Sequence, residues 1–403
     1  MSVEIRVTRP EEYRAAADAF CVALMAPPPN DEQWERSRPS WDEMPSMSAW
    51  DGDRCVGHAG QFLVDTTVPG GVRIPTGAVS RVGVLSTHRR RGVATGLMHA
   101  LIADAAERGL ALMSLRASEA TIYGRFGFGL AGDAAEAELL PDRVRPIRGA
   151  GSGTFRILAP DDILVTVMPL YERYAHRRPG CITRPASFWR RLFRTALERS
   201  RAAFVAVHTD ADGDDIGYVL YETKWADDGM LEGGVGEVHE LFAADDAAEL
   251  ALWSYICDID LVRRWQLHAR PADDLVRRAA RDVRAYRQRA LDDEQWLRIV
   301  DVELALAVRT YQPVDGAVVV QVTDARVPGN SGTWRIDAGG AMRTHAAPDL
   351  VADVAGLSMV YLGGPSWSEA AAIGLVEAVD ADAIHVADAL FASRPLPYCG
   401  TFF

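Results

Sequence analysis

The stretch Val79–Phe128, VSRVGVLSTHRRRGVATGLMHALIADAAERGLALMSLRASEATIYGRFGF, constrains this chain more than any other. Val79, Val82 and Val84 lie in an apolar run too short for a helix, which reads as a buried strand. A polar, basic turn follows, Thr87-His88-Arg89-Arg90-Arg91-Gly92, and leads straight into a helical pattern. Val93, Leu97 and Leu101 recur four residues apart, with Ala94, Met98 and Ile102 beside them, giving one wide apolar stripe. Gly109 stands where a left-handed residue would end that helix. Leu110–Leu115 is the next apolar strand, and Tyr123-Gly124-Arg125-Phe126-Gly127-Phe128 closes the unit in a Gly-aromatic turn.

The turn carries the chemical information. A helix N-terminus has unpaired backbone N–H groups and partial positive charge, which suits a phosphate-bearing ligand. Gly92, without a side chain, lets the backbone approach such a ligand closely, and Arg89–Arg91 add full charges. A solvated basic turn would look similar, and the residues alone leave both readings open. The spacing Arg89-x-x-Gly92-x-Ala94 resembles the pyrophosphate-binding pattern of GNAT acetyltransferases, as does Tyr-x-x-x-Gly-aromatic one strand later. The whole string RASEATIYGRFGF, with a chain ending Phe402-Phe403, resembles the enhanced intracellular survival (Eis) family of acetyltransferases.

That resemblance spans the full length and implies a fold of mixed α and β character. Tandem GNAT-like modules, the second degenerate, precede a sterol-carrier-protein-like α+β domain, with divisions expected at 1–145, 146–289 and 290–403. It implies acetyl-CoA as acetyl donor, no metal, and a homohexamer. The implied acceptor is an aminoglycoside, acetylated at one or several amines. The acetyl-pantetheine arm would follow Val82, Gly83 and Val84, and the pyrophosphate would sit on Arg90, Arg91, Gly92, Val93, Ala94 and Thr95. Ser118 and Glu119 would close the cofactor site.

Composition narrows the partners. A chain of 403 residues fits two or three domains. With 43 basic against 56 acidic residues the net charge is −13. Such a balance argues against nucleic acid, which needs a cationic footprint. It suits a polycationic amine through steering, and it is equally what a soluble acidic protein shows. The cysteines, Cys21, Cys55, Cys181, Cys257 and Cys399, have no C-x-x-C spacing and fit a reducing compartment. No signal peptide or bilayer-spanning run is read, so a cytoplasmic protein without membrane contact is expected.

Along the chain, Val3–Val7 alternates as a strand, and Thr8 is placed as the cap of a helix entered through Pro10. Phe20 on this helix and Trp34 on the next are candidate acceptor-pocket walls, or ordinary core aromatics. Gly71–Pro75 and Val79–Val84 read as separate strands. From Thr154 the strand–turn–helix order recurs, which suggests an internal repeat. There the turn is Ala243-Ala244-Asp245-Asp246, acidic and without glycine, so it would repel pyrophosphate. Asp292–Val302 reads as a helix marked by Trp296, Ile299 and Val300. The end, SRPLPYCGTFF, is extended and apolar, unlike a free tail, and so is expected to be tucked in.

Acetyl transfer to an amine needs a neutral amine, a stabilised oxyanion and a proton for the thiolate. A phenol with pKa about 10 is protonated at neutral pH, and Tyr123 is the candidate acid. The resemblance makes the C-terminal carboxylate of Phe403 the base, with Phe402 against the substrate. Glu119 acting through water is the alternative base. Backbone N–H groups at Val82–Val84 are candidate oxyanion donors. The chain also departs from the family: Val22 and Phe402 stand where better-known members carry acids, and Arg81 and Arg116 add positive charge. These changes weaken the case for a polycationic acceptor. The same chemistry on peptide lysines or polyamines is an alternative, and a non-catalytic lipid-binding or scaffold protein is a reading from another class.

Overall fold

The structure is a computed structural model and describes residues 3–227 and 233–403. The first module supplies β1 (Glu4–Val7), β2 (Ser46–Asp51), β3 (Arg54–Thr67), β4 (Arg73–Val84), β5 (Leu112–Leu115) and β6 (Gly129–Leu139). The second repeats the plan with β7 (Thr154–Ile157), β8 (Ala203–Thr209), β9 (Asp215–Trp225), β10 (Gly234–Ala243), β11 (Val262–Pro271) and β12 (Tyr286–Ile299). Helix Val93–Glu107 joins β4 to β5, and helix Asp246–Cys257 stands at the matching place after β10.

All these strands form one 12-stranded sheet in the order β1-β2-β3-β4-β5-β12-β6-β11-β10-β9-β8-β7. The order is nearly palindromic, and its centre shows why. Each module's sixth strand has crossed over: β5 pairs with β12, through Leu115↔Trp296 to Leu112↔Ile299, and β11 pairs with β6. The two exchanged strands then pair with each other along Tyr286↔Leu139 to Leu297↔Gly129. Neither module therefore closes its own sheet.

The third unit carries a five-stranded sheet ordered β15-β14-β13-β16-β17, with β13 (Ala317–Thr323), β14 (Gly332–Asp337), β15 (Gly340–Arg343), β16 (Leu350–Asp353) and β17 (Val376–Ala378). Its helix Val354–Val360 lies on β6 and β12. Gly129 permits this, since a Cβ there would stand 2.4 Å from the Ala355 carbonyl. No helix among the described residues is long and apolar enough to cross a membrane.

Three local expectations are corrected. Asp292–Val302 is not a helix: it is strand β12 as far as Ile299, and the helix starts at Val302 behind the Asp301 cap. The spacing of Trp296, Ile299 and Val300 imitates a helical face because bulges near Gln295 disturb the strand's two-residue alternation. Gly71–Pro75 and Val79–Val84 do not make two strands, since β4 runs unbroken through Ala78 with a bulge at Arg81 (φ 55°). Thr8 is not the helix cap. Its hydroxyl bonds Ser48 at 2.6 Å, and a short 3-10 turn, Pro10–Glu12, precedes the helix Tyr13–Ala23.

The exchange sets a limit on dissection. A chain ending at Arg145 would leave β5 without β12 and β6 without either of its neighbours, exposing long unpaired edges. Expression of residues 1–145 alone should give aggregated or unfolded protein by light scattering and circular dichroism, whereas the full chain stays soluble.

Candidate active site

Strands β4 and β5 run parallel only from Thr76↔Leu112 to Ala78↔Ser114. Beyond Ala78 they diverge, and β4 continues to Val84 with no strand on its β5 side. Backbone N–H and C=O groups there are open to an extended ligand that pairs like a strand. The bulge at Arg81 helps set this splay. It is held from below by His58, whose Nδ1 lies 2.9 Å from the Arg81 carbonyl. An oxygen accepts there, so Nδ1 carries the proton, and burial pushes the His58 pKa down to about 4. Gly83 lets the helix Tyr13–Ala23 approach: a Cβ would stand 3.3 Å from Phe20 and 3.0 Å from Ala23. Phe20 therefore roofs the open strand at Gly83.

At the far end of that groove stands the N-terminus of helix Val93–Glu107. Its N-cap is Gly92 in the left-handed conformation (φ 79°), and no side chain caps it. The first helical bond there is donated by Gly96 to the Gly92 carbonyl, so the N–H groups of Val93, Ala94 and Thr95 remain available. A Cβ at Gly92 would touch nothing within 4 Å, so its role is conformational freedom and open access. Arg89, Arg90 and Arg91 are exposed, and none is ion-paired among the described residues. His88 ties the turn to β2 through Asp51 at 3.1 Å. These residues fit the pyrophosphate and pantetheine of coenzyme A.

The second module shows the contrast. Its helix Asp246–Cys257 is capped by its own Asp245, which accepts from Ala248 N at 2.8 Å, while Arg177 pairs with Asp246 at 3.2 Å. One donor at that terminus is already capped from within, and carboxylates stand where the first module has arginines.

Tyr123 is 5 % exposed, and its ring packs edge-on to Phe128 at 6.0 Å. Burial, then the nearby Glu119 carboxylate, push its pKa above the ordinary value, which keeps the phenol protonated. Glu119 and Ser118 are exposed on the approach to it. The loop that carries Tyr123 is fixed by Arg298 of β12. Its guanidinium donates to the Phe126 carbonyl at 2.7 Å and to Asp324 of the third unit at 2.8 and 3.1 Å. Gly127 (φ 85°) tolerates no side chain, because a Cβ would fall 1.8 Å from that guanidinium.

The C-terminal segment returns from the third unit and is tied down residue by residue. Glu294 of β12, fully buried, accepts from Cys399 N at 2.9 Å and Gly400 N at 2.8 Å, with Arg116 3.7 Å away. Thr401 accepts from Arg184, which is itself locked to Glu240 in a buried ion pair. Arg191 donates to the Phe402 carbonyl. Phe402 is exposed, between the guanidinia of Arg116 and Arg191. Phe403 is buried, stacks on Phe188, and belongs to the same apolar cluster as Tyr123.

Next to the terminus a cleft of about 740 Å³ opens between the first module and helices Ala186–Leu192 and Arg194–Glu198 of the second. Phe62 and Phe188, in edge contact at 4.7 Å, form part of its wall. Helix Asp31–Ser37 contributes Gln33, Arg36 and Ser37. Trp34 on that helix is not part of the lining: it packs on Trp41 at 6.2 Å, beneath Arg14. Arg184, Glu294, Arg298 and Asp324 escaped the reading of the sequence, because each acts through partners distant in the chain.

Fold and site together define a class: a tandem acetyltransferase of the GNAT fold joined to a sterol-carrier-type domain. Family models agree. Residues 4–131 and 180–299 match acetyltransferase (GNAT) domains, and residues 302–400 match a sterol carrier protein domain. An N-acetyltransferase of Streptomyces avermitilis is 34% identical over 99% of both chains. N-acetyltransferase Eis of Mycobacterium bovis is 32% identical over 85% of this chain and 84% of its own. The crystal structure of Eis1 from Mycobacterium abscessus superposes with a TM-score of 0.89 at 34% identity, covering 100% of both chains. The chain belongs to the Eis family of N-acetyltransferases.

The tail anchor is open to direct test. Glu294→Ala removes the acceptor for the buried Cys399 N–H, at about 1–3 kcal/mol, and for the half-buried Gly400 N–H, at less. Carboxypeptidase digestion of that variant should release Phe403 and Phe402 much faster than in wild type, while acetyl-CoA binding by calorimetry changes less than about threefold.

Proposed function

We propose that this enzyme transfers acetyl from acetyl-CoA to a primary amine held in the cleft, with Tyr123 as proton donor and the Phe403 carboxylate as proton acceptor. One arrangement carries the reading. The open edge of β4 runs up to the uncapped helix N-terminus, and Tyr123 and Phe403 both pack into the apolar core of that module. When bound, acetyl-CoA supplies an acetyl group activated as a thioester. Val82–Val84 would hold the pantetheine arm, and Arg90–Thr95 the pyrophosphate, with Ser118 and Glu119 beside the arm. Free N–H groups of the β4 edge would donate to the carbonyl oxygen as charge builds on it.

An ammonium with pKa about 10.4 is neutral in roughly one molecule in a few thousand at pH 7, a penalty near ~4–5 kcal/mol. The terminal carboxylate would offset part of that by taking the amine proton. Tyr123, held protonated, gives its proton to the leaving thiolate.

Family resemblance suggests an aminoglycoside acceptor, or in the alternative a peptide lysine or polyamine. Arginines around the cleft oppose an acceptor bearing several ammonium groups, so a singly aminated acceptor fits it better. A purely lipid-binding role does not account for the free Gly92 helix terminus.

Tyr123→Phe should lower kcat by about 10²–10³, with acetyl-CoA affinity and Tm nearly unchanged, because the hydroxyl has no hydrogen-bond partner among the described residues. Deleting Phe403 should give a comparable loss. The Tyr123 pKa lies above the ordinary value of about 10, so its protonated form persists as pH rises. The pH–rate profile should therefore climb through pH 9, and any downturn owed to Tyr123 should fall above pH ~10. A downturn near pH 8 that disappears in Tyr123→Phe would remove the phenol from the mechanism.

A further inference from the structure

The cleft beside the C-terminus has a charge opposite to that of the whole chain. Its lining includes Arg36, Arg81, Arg190, Arg191 and Arg194 against a single carboxylate, Glu198. Arg36 is partly neutralised by Glu32 at 3.0 Å. The other four have no ion-pair partner within 4 Å among the described residues. Glu43, nearby, accepts from the Ser187 hydroxyl at 2.5 Å and also offsets part of the charge on Arg81.

Arg81 is the most telling of the four. It sits at the β4 bulge in a left-handed conformation (φ 55°), which an arginine adopts only where the surroundings hold it there. Its guanidinium lies over Trp41 at 4.3 Å and donates to the Ser40 carbonyl at 3.2 Å and to the Ser40 hydroxyl. Burial, then Arg191, lower its pKa to about 10, still well charged at neutral pH. Cations kept this close repel one another, and Glu198, Glu43 and the neighbouring chain terminus are fewer than the arginines, so the cleft favours further negative charge. Arg81 directly precedes Val82, where the pantetheine strand opens, so an anion in the cleft would stand close to the acetyl group.

We propose that the acceptor is an amine that also carries an anionic group, a carboxylate or a phosphate, held by the arginines while its amine reaches the acetyl group. Arg190 and Arg194 lie on the second module, so the degenerate module contributes acceptor recognition although its own cofactor terminus is self-capped. Polycationic amines are disfavoured by the same charges. This inference rests on the acetyltransferase reading above and names the substrate class for that site.

The test compares matched amines that differ only by the anion: ethanolamine with phosphoethanolamine, glucosamine with glucosamine 6-phosphate, and tyramine with tyrosine. Spermidine and an aminoglycoside serve as polycations, and coenzyme A release reports turnover. In at least one pair the anionic member should have a kcat/KM about tenfold or more above its neutral partner and above both polycations. The advantage should shrink with added salt. In the double variant Arg190→Gln/Arg194→Gln, shown to be folded by circular dichroism, the ratio within that pair should fall below about threefold. Neutral or polycationic amines turned over as well as the anionic ones would overturn the proposal, as would a preference that survives in the double variant. No acetylation of any anionic amine by a protein that binds acetyl-CoA calorimetrically would also overturn it. Failure to bind acetyl-CoA at all would instead sink the acetyltransferase reading itself.

Discussion

One central strand, buried along its second half, holds the Tyr123 loop and the C-terminal segment in register. Strand β12 sits at the centre of the large sheet between β5 and β6, two strands of the other module. Glu294 on it receives the backbone of Cys399 and Gly400, and Arg298 on it secures the turn after Tyr123 while reaching Asp324 in the third unit. Burying a carboxylate and a guanidinium in this way is costly unless every charge finds donors or acceptors. Here Glu294 accepts two backbone N–H groups and Arg298 meets Asp324 and the Phe126 carbonyl through its two terminal nitrogens, and the partners come from three parts of the chain. The phenol and the terminal residue are thus positioned by one strand that belongs, in sequence, to neither.

The two halves show how a repeated plan can lose one ligand site without losing its fold. In the first, Gly92 leaves the helix terminus open, and the three arginines before it have no ion-pair partner among the described residues. In the second, Asp245 caps the equivalent terminus and Arg177 neutralises Asp246. The difference is local electrostatics, because helix and strands remain in the same order. What the second half keeps is surface. Its short helices supply Phe188, which backs Phe403, and the arginines of the cleft.

Charge illustrates the distance between composition and site. A net charge of −13 acts at long range and is screened within about 8–10 Å at physiological salt. A ligand in the cleft would instead feel the arginines within a few ångströms. Arg81 signalled this already from its place beside Val82 on β4. Arg190 and Arg194 carried no such signal, since more than a hundred residues separate them from that strand.

By itself the sequence determined the parts whose physics is local. The apolar stripe of Val93, Leu97 and Leu101, the glycine before that helix, the basic turn, and the acidic replacement in the second half were all legible, because helix periodicity and terminus chemistry depend on neighbouring residues. The apolar ending likewise announced a buried tail. Only the tertiary structure decided what depends on distant partners. It showed that β12 is a strand where Trp296, Ile299 and Val300 imitate a helix, and that the modules exchange their last strands. It also turned Trp34 toward Trp41 and gathered arginines from both halves around one cleft. Short-range pattern records what a segment prefers; which segment it meets is settled by packing between residues far apart in the chain.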